Sequence, residues 1–387
     1  MKQKPADMDG PAWSSETHCL ALDGIRGLAI LMVTLYRLFK ELDPASHSVI
    51  ALVQKVSLVG GRGVDLFFVL SGFLITGILI RSKSQSNYFR NFIIRRSLRI
   101  FPLYFLSLVI GLWLIPKQLG GPLFEMARKE QFYLWTYMSN VRVSWLNEWC
   151  FGPFDHFWSL AVEEHFYLVW PAVVFFLATK RLGWFCIFTV VGVAITRAVA
   201  ETVPSLDVAV DVLTVFRIDA LCIGALLAVL MHSSGTHDRI RRGAPIAAAI
   251  VLVTLIAIGL FGSRAFGIPA LLVRILFMAC MAIVLLSPKR SMLVRGSENA
   301  VLRFLGKYSY GMYVVQLPLV VLLPFATLAG YWQMHPIADG LIYVVIMFGL
   351  ITLTAYLSYH LFESHFLKLK NGFQSAGASR ELDTQRV

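Results

Sequence analysis

Apolar runs long enough to cross a bilayer recur along this 387-residue chain, and nothing else in the sequence restricts its fold as much. Segments 182–200, 244–262 and 343–361 each supply the roughly 17–25 mainly apolar residues that a hydrocarbon core requires. Hydrophobic residues make up 57% of the chain and charged residues only 15%, with a mean hydropathy of +0.68. Soluble domains carry about a quarter charged residues, so lipid rather than water must solvate this surface.

The pattern predicts an all-α polytopic membrane protein of about ten transmembrane helices. The spans fall near 22–40, 63–80, 99–116, 157–178, 182–200, 215–232, 243–262, 269–287, 308–330 and 340–362, with bounds good to about 2–4 residues. A cleaved secretory signal is a weaker reading of the first run. Asp23 and Arg26 interrupt its start, and no clear small-x-small cleavage site follows. The connection 117–155 contains an apolar, aromatic stretch, Gln131–Val141, too short to span and expected as an interfacial or re-entrant helix. Neither an internal repeat nor a low-complexity linker is evident.

The formal net charge is +12. Nucleic acid is not the implied partner, because Lys and Arg concentrate in short loops between the apolar runs, as the positive-inside rule requires. Lys2, Lys4, the cluster from Arg81 to Arg99, Lys180, Arg181, Arg239–Arg242, the group from Lys289 to Lys307 and the C-terminal tail all fall on the N-terminal side. The opposite side holds about half as many or fewer, so both termini are expected in the cytoplasm. The organisation expected is a cytoplasmic segment 1–19, a membrane domain 20–367 and a cytoplasmic tail 368–387, polar from Asn371 and expected to be disordered. The five cysteines are scattered and odd in number, and three sit in apolar runs as small hydrophobes. They imply neither a disulfide framework nor a metal site.

Ionisable groups inside the spans are the functional signal, since each costs at least ~2.5–3.5 kcal/mol at a helix centre unless it faces a partner or an aqueous cavity. Arg26 and Arg37 are eleven residues apart, which returns to within about 20° of the same helix face and separates them by roughly 16 Å. By topology, Arg37, Asp65, His156, Glu163, Glu164, Arg217 and Asp219 are expected to converge in the outer half of the bundle. Arg26, Arg96 and Arg99 gather at the cytoplasmic side. Any single pair reads equally well as a structural ion pair; seven groups at one depth favour a site. Arg95, Arg96 and Arg99 suit bidentate phosphate contacts, although a positive-inside anchor explains them as well. Ser71-Gly72 permits close helix packing or an unwound turn, with packing the default. Trp158, Trp170 and Tyr167 read as interfacial aromatics without a catalytic role.

These residues fall into a recognisable series: Leu22-Asp23-Gly24-Ile25-Arg26-Gly27-Leu28-Ala29, then Gly63-Val64-Asp65-Leu66-Phe67-Phe68-Val69-Leu70-Ser71-Gly72-Phe73. Arg96-Ser97-Leu98-Arg99, His156-Phe157-Trp158-Ser159 with Glu163-Glu164-His165-Phe166-Tyr167, Arg217-Ile218-Asp219, Tyr308-Ser309-Tyr310-Gly311 and Tyr359-His360-Leu361-Phe362-Glu363 follow in order. Over roughly residues 20–367 the chain resembles the integral-membrane acyltransferase family three, which includes bacterial polysaccharide O-acetyltransferases. The resemblance implies ten core helices in the cytoplasmic (inner) membrane, a cytoplasmic acyl-CoA donor, usually acetyl-CoA, and transfer to a hydroxyl of a glycan or lipid-linked acceptor outside. It also implies that Arg26, Arg96 and Arg99, with Ser71, serve the donor, and that Glu163, Glu164, His156 and Asp65 belong to the catalytic side. Some members append an extracytoplasmic hydrolase-like domain. Nothing globular follows the last apolar run here, so the membrane domain is expected to complete the transfer.

The sequence departs from the family at one position that matters chemically. The family places a histidine eleven residues after the first arginine; this chain has Arg37. A histidine with pKa near ~6.5 can take a proton from an attacking hydroxyl and return it, whereas arginine, with pKa above about 12, cannot act as that base. Arg37 therefore implies impaired catalysis, another base such as His156 or Glu164, or binding without transfer, and impaired catalysis is the expectation. Gln316, where the family often has histidine, and His165, where it has glutamine, are smaller departures. The leading expectation is an acyl-CoA-dependent O-acyltransferase. A transporter or flippase, or a catalytically silent binding protein, would also place charges across a helical bundle.

Overall fold

Backbone polar groups inside a bilayer must be satisfied within the protein, and a helix does this segment by segment. The computed structural model describes residues 19–43, 47–115, 117–261, 268–332 and 335–373, and among them no β-strand occurs. The long helices are α1 (Leu20–Lys40), α2 (Gly63–Ser82), α3 (Tyr88–Val109), α4 (Trp158–Phe176), α5 (Thr179–Ala200), α6 (Thr214–His232), α7 (His237–Phe261), α8 (Ile268–Leu286), α9 (Ala300–Leu322) and α10 (Pro336–Ser358). Among the described residues, 8 helical stretches are long and apolar enough to cross a membrane. Large apolar side chains such as Leu168, Phe176, Phe188, Val253 and Val345 point outward, as a lipid-facing surface requires.

Helices α1 and α9 are not among those eight, and the reason is visible in their residues. Asp23, Arg26, Arg37 and Lys40 interrupt α1; Arg303, Lys307, three tyrosines and Gln316 interrupt α9. They pack against each other, so their polar faces meet protein rather than lipid. Contact is close enough that a Cβ on Gly27 would lie 1.9 Å from the Leu302 carbonyl oxygen, and one on Gly306 would lie 1.9 Å from that of Asp23. Helices α2 and α6 meet in the same way, at Gly72 and Gly224. Small residues let helix backbones approach where lipid offers no hydrophobic drive. Gly72 thus serves close packing, and α2 continues unbroken through it.

Four sequence expectations shift. Helix α3 starts at Tyr88, eleven residues before 99, because hydropathy registers where hydrocarbon begins and not where the helix does. The span expected at 308–330 is instead α9 ending at Leu322, then a separate helix Phe325–Trp332; Pro324 between them cannot continue a helix without losing a hydrogen bond. The stretch 131–141 is two short helices, Gln131–Trp135 and Ser139–Leu146, broken where Tyr137 adopts a φ of 55°. At the C-terminus, helix Ser364–Leu369 and the turn Lys370–Phe373 carry order past residue 367. The expectations for 1–18 and 374–387 lie outside the described residues.

Candidate active site

Three cavities line up along α1, from the end where Arg26 lies to the end where Arg37 lies. The middle one is bounded by Arg26, Ser71, Arg96, Arg99, Glu163 and Tyr310 among others. Arg26 sits in the second turn of α1, 3.3 Å from Asp23 one turn earlier. Arg96 and Arg99, one turn apart on α3, enter from the side. The Arg96 guanidinium lies 5.8 Å from the centre of the Tyr167 ring and 5.9 Å from that of Phe92, a cation–π arrangement that holds it without neutralising it. Ser71 and Tyr167 share a 2.6 Å hydrogen bond across α2 and α4. Tyr310 donates to the Ile100 carbonyl at 2.6 Å. The four residues assigned to the donor from the sequence, Arg26, Ser71, Arg96 and Arg99, therefore border one chamber.

Glu163 belongs to this chamber and not to the outer cluster where the sequence reading put it. It lies five residues into α4, a rise of roughly 7.5 Å from Trp158, which carries it to the arginines. Glu164 lines none of the three cavities. Successive helical residues diverge by about 100°, so only one of the pair faces inward. The Oε1 of Glu164 is buried without a hydrogen-bond partner among the described residues.

The cavity at the Arg37 end is lined by Arg37, Asp65, Asp155, His156, Arg217 and Tyr313 among others. His156 is 1% exposed, and neither ring nitrogen has a hydrogen-bond partner among the described residues. Its ring packs edgewise on Tyr313, with centroids 5.2 Å apart. The Tyr313 hydroxyl donates to the His156 carbonyl at 3.0 Å and meets Ser159 Oγ at 2.5 Å. The Nε of Arg37 is likewise buried and unpartnered, and no ion pair holds this arginine among the described residues. Val64 and Tyr313 line both this cavity and the middle chamber, so the two adjoin there.

Asp65 borders the cavity at the Arg37 end but is occupied. Arg217 Nη2 and Arg274 Nε both donate to its Oδ1, at 2.8 and 2.9 Å, and Arg62 lies 3.6 Å from its other oxygen. Asp219, expected in the outer cluster, pairs instead with Arg274 Nη1 and lines none of the three cavities. Arg274, fully buried, went unremarked in the sequence reading. The signal was available: a lone arginine in the apolar run 270–286 must find a partner. Arg197 was missed for the same reason; it is 6% exposed and binds Glu201 and Asp211.

The aromatics read as interfacial are internal. Trp170 is 1% exposed and donates to Thr76 at 2.8 Å, and Trp158 stacks under Arg217, 5.2 Å from the guanidinium to the ring centre. Trp170 buries its ring, Trp158 is half-buried, and each satisfies its polar or quadrupolar side inside the bundle. Gln316 is buried and accepts from Thr34 at 3.3 Å, while His165 bonds Thr214 at 2.7 Å; neither lines the three cavities.

At the Arg26 end lies a vestibule bordered by Arg26, Arg99, Arg303 and Lys307, with Asp23 and Glu363. Arg26, Arg99 and Tyr310 line both vestibule and chamber. The arrangement offers guanidinium forks for phosphates at one end, a mixed chamber in the middle and an unpartnered imidazole at the other.

The chain matches the acyltransferase family three model, described as an acyltransferase domain, over residues 20–360. It is 28% identical over 329 residues to the peptidoglycan O-acetyltransferase OatA of Listeria monocytogenes, covering 80% of this chain and 50% of that protein. It is 34% identical over 171 residues to the O-acetyltransferase OatA of Staphylococcus aureus, covering 42% of this chain and 26% of that one. The chain thus spans half or less of these relatives' length. No solved structure matches. With the family's motifs running through the three aligned cavities and the match extending over nearly the whole membrane domain, this chain belongs to acyltransferase family three.

Proposed function

We propose that the protein is a multi-pass O-acyltransferase of the cytoplasmic membrane. It would take an acyl group, acetyl in the first instance, from cytoplasmic acyl-CoA to a hydroxyl of an extracytoplasmic glycan such as peptidoglycan. The observation that carries this reading is the end-to-end row of cavities, cationic at the Arg26 end and holding an unpartnered imidazole at the Arg37 end.

The donor phosphates engage Arg26, Arg99, Arg303 and Lys307, whose forks and ammonium suit them. The thioester extends into the chamber past Tyr310, and Glu163 offers an acceptor to an amide N–H of the donor arm. The sugar hydroxyl arrives from the other end. As its oxygen attacks the thioester carbon, a C–O bond forms and the C–S bond breaks. His156 takes the hydroxyl proton and returns it to the departing thiolate, so charge and protons balance. Arg37 cannot be that base, but a fixed cation beside an imidazole favours its neutral, proton-accepting form. Asp65, already bonded by arginines, acts through Arg217 as a positioning group.

Transfer of radiolabelled acetyl groups from acetyl-CoA to glycan acceptors in proteoliposomes tests this reading, with wild type, His156→Gln and Arg37→His compared. Wild type is expected to transfer and His156→Gln to lose about 100-fold or more, the usual share of a general base. Equal rates in those two would remove His156 from the mechanism. Transfer by Arg37→His alone would mean that the natural chain has lost its base. A flippase shares the row of cavities; no CoA binding in any form would favour it.

A further inference from the structure

A fourth cavity opens beside the chamber at its Arg26 end, and its walls carry Arg81, Arg95, Arg96 and Lys370 with the amides of Gln85 and Asn91. The cations come from three separate parts of the chain: the last turn of α2, the middle of α3 and the turn Lys370–Phe373. Among the described residues no aspartate or glutamate lines the cavity. Among the described residues none of the four cations forms an ion pair, in contrast to Asp65 and its arginines. Anchors that obey the positive-inside rule need only reach the headgroup layer from a convex surface. Here charges of one sign converge on a concavity, which is unfavourable until an anion enters.

Lys370 records that cost. Burial, then the repulsion of Arg99, Arg96, Arg95 and Arg26, pushes its ammonium down to about 8. Arg81 and Arg95 line the same cavity, and no acidic lining group among the described residues offsets them. The two arginines of the Arg96-Ser97-Leu98-Arg99 segment also divide their attention: Arg99 borders chamber and vestibule, Arg96 borders chamber and this side cavity.

We propose that the side cavity is a second anion site that binds a phosphate group, separate from the vestibule and joined to the chamber through Arg96. Two ligands present that chemistry: the ribose 3′-phosphate of a CoA donor, and the phosphodiester headgroup of an anionic phospholipid. Only the first rests on the donor reading above.

The full chain in phosphatidylcholine nanodiscs, with and without phosphatidylglycerol, separates them. CoA and 3′-dephospho-CoA affinities are compared in wild type, Lys370→Gln and Arg81→Gln, and retained phosphatidylglycerol is counted by mass spectrometry. A nucleotide ligand is expected to lose its preference for CoA over dephospho-CoA by about tenfold in each variant, one charge-assisted contact's worth. A lipid ligand is expected to leave that preference intact while phosphatidylglycerol retention falls similarly. Lys370→Arg, which keeps the charge and resists misfolding, should retain the ligand but abolish the proton uptake that accompanies binding to wild type near pH 9. If wild type binds no CoA, the donor reading fails and the lipid count still decides. Unchanged nucleotide preference and unchanged lipid retention in both Gln variants would overturn the proposal.

Discussion

Two groups of buried charge lie side by side in this bundle, and they are built on opposite plans. Where α2, α6 and α8 meet, Asp65 and Asp219 are matched against Arg217 and Arg274, with Arg62 at the rim. Where α1, α3 and α4 meet, Arg26, Arg96 and Arg99 face a single chamber carboxylate, Glu163, and only Arg26 has an ion-pair partner among the described residues, Asp23. The first group is closed and holds three helices in register. The second is open, and its unspent charge is what a phosphate-bearing substrate would meet. The presence of charge inside a membrane therefore does not distinguish site from scaffold; the state of its pairing does.

Breaking the closed group should have the largest effect. Asp65→Ala strands Arg217 in the interior, leaves Arg274 with Asp219 alone, and is expected to destabilise the fold by about 3–5 kcal/mol, read as a lowered thermal midpoint in detergent. Arg99→Gln should behave in reverse: little change in the midpoint without ligand, and about tenfold weaker CoA binding by titration. Gly306→Ala pushes a methyl against the Asp23 carbonyl and is expected to cost about 1–3 kcal/mol of stability, with CoA binding weakened through displacement of Arg26. The smallest effect lies outside the membrane. Arg142 donates to both oxygens of Glu130, at 2.8 and 2.9 Å, and this bond holds the Glu130 carboxyl below its ordinary value. A carboxylate with a depressed pKa contributes stability above its unfolded value, near ~4.3, and loses it as pH falls through the folded one. Glu130→Gln should flatten only that acidic part of the stability profile, measured by thermal scans from pH 3 to about 6.

Much of the fold was legible because hydrocarbon imposes a simple length rule. The expected 63–80, 182–200 and 340–362 correspond to helices Gly63–Ser82, Thr179–Ala200 and Pro336–Ser358. The errors fall where helix and hydrocarbon do not coincide. Helix α3 runs eleven residues beyond the apolar run, and it is there that Arg95 and Arg96 acquire their inward positions. Depth alone gathered Arg26, Arg96 and Arg99, and the family resemblance added Ser71 and the donor role. Assigning Glu163 to the outer end failed because the rise of roughly 7.5 Å from Trp158 to Glu163 along α4 carries it to the arginines. Arg274 escaped because its partners lie 209 and 55 residues away in sequence, and no local pattern marks a contact of that range. Glu164, adjacent to Glu163, shows the limit from the other side: sequence supplies the pair, and only helix rotation separates their surroundings.

The open group exists, on this account, to hold an acyl-CoA. A cryo-EM map of the protein with a non-transferable thioether analogue of acetyl-CoA tests this most directly. The expected result is phosphate density against Arg26, Arg99 and Lys307, with the acyl end in the chamber between Arg96 and Tyr313. An empty chamber at saturating analogue, or density seated elsewhere with these arginines untouched, would contradict the account.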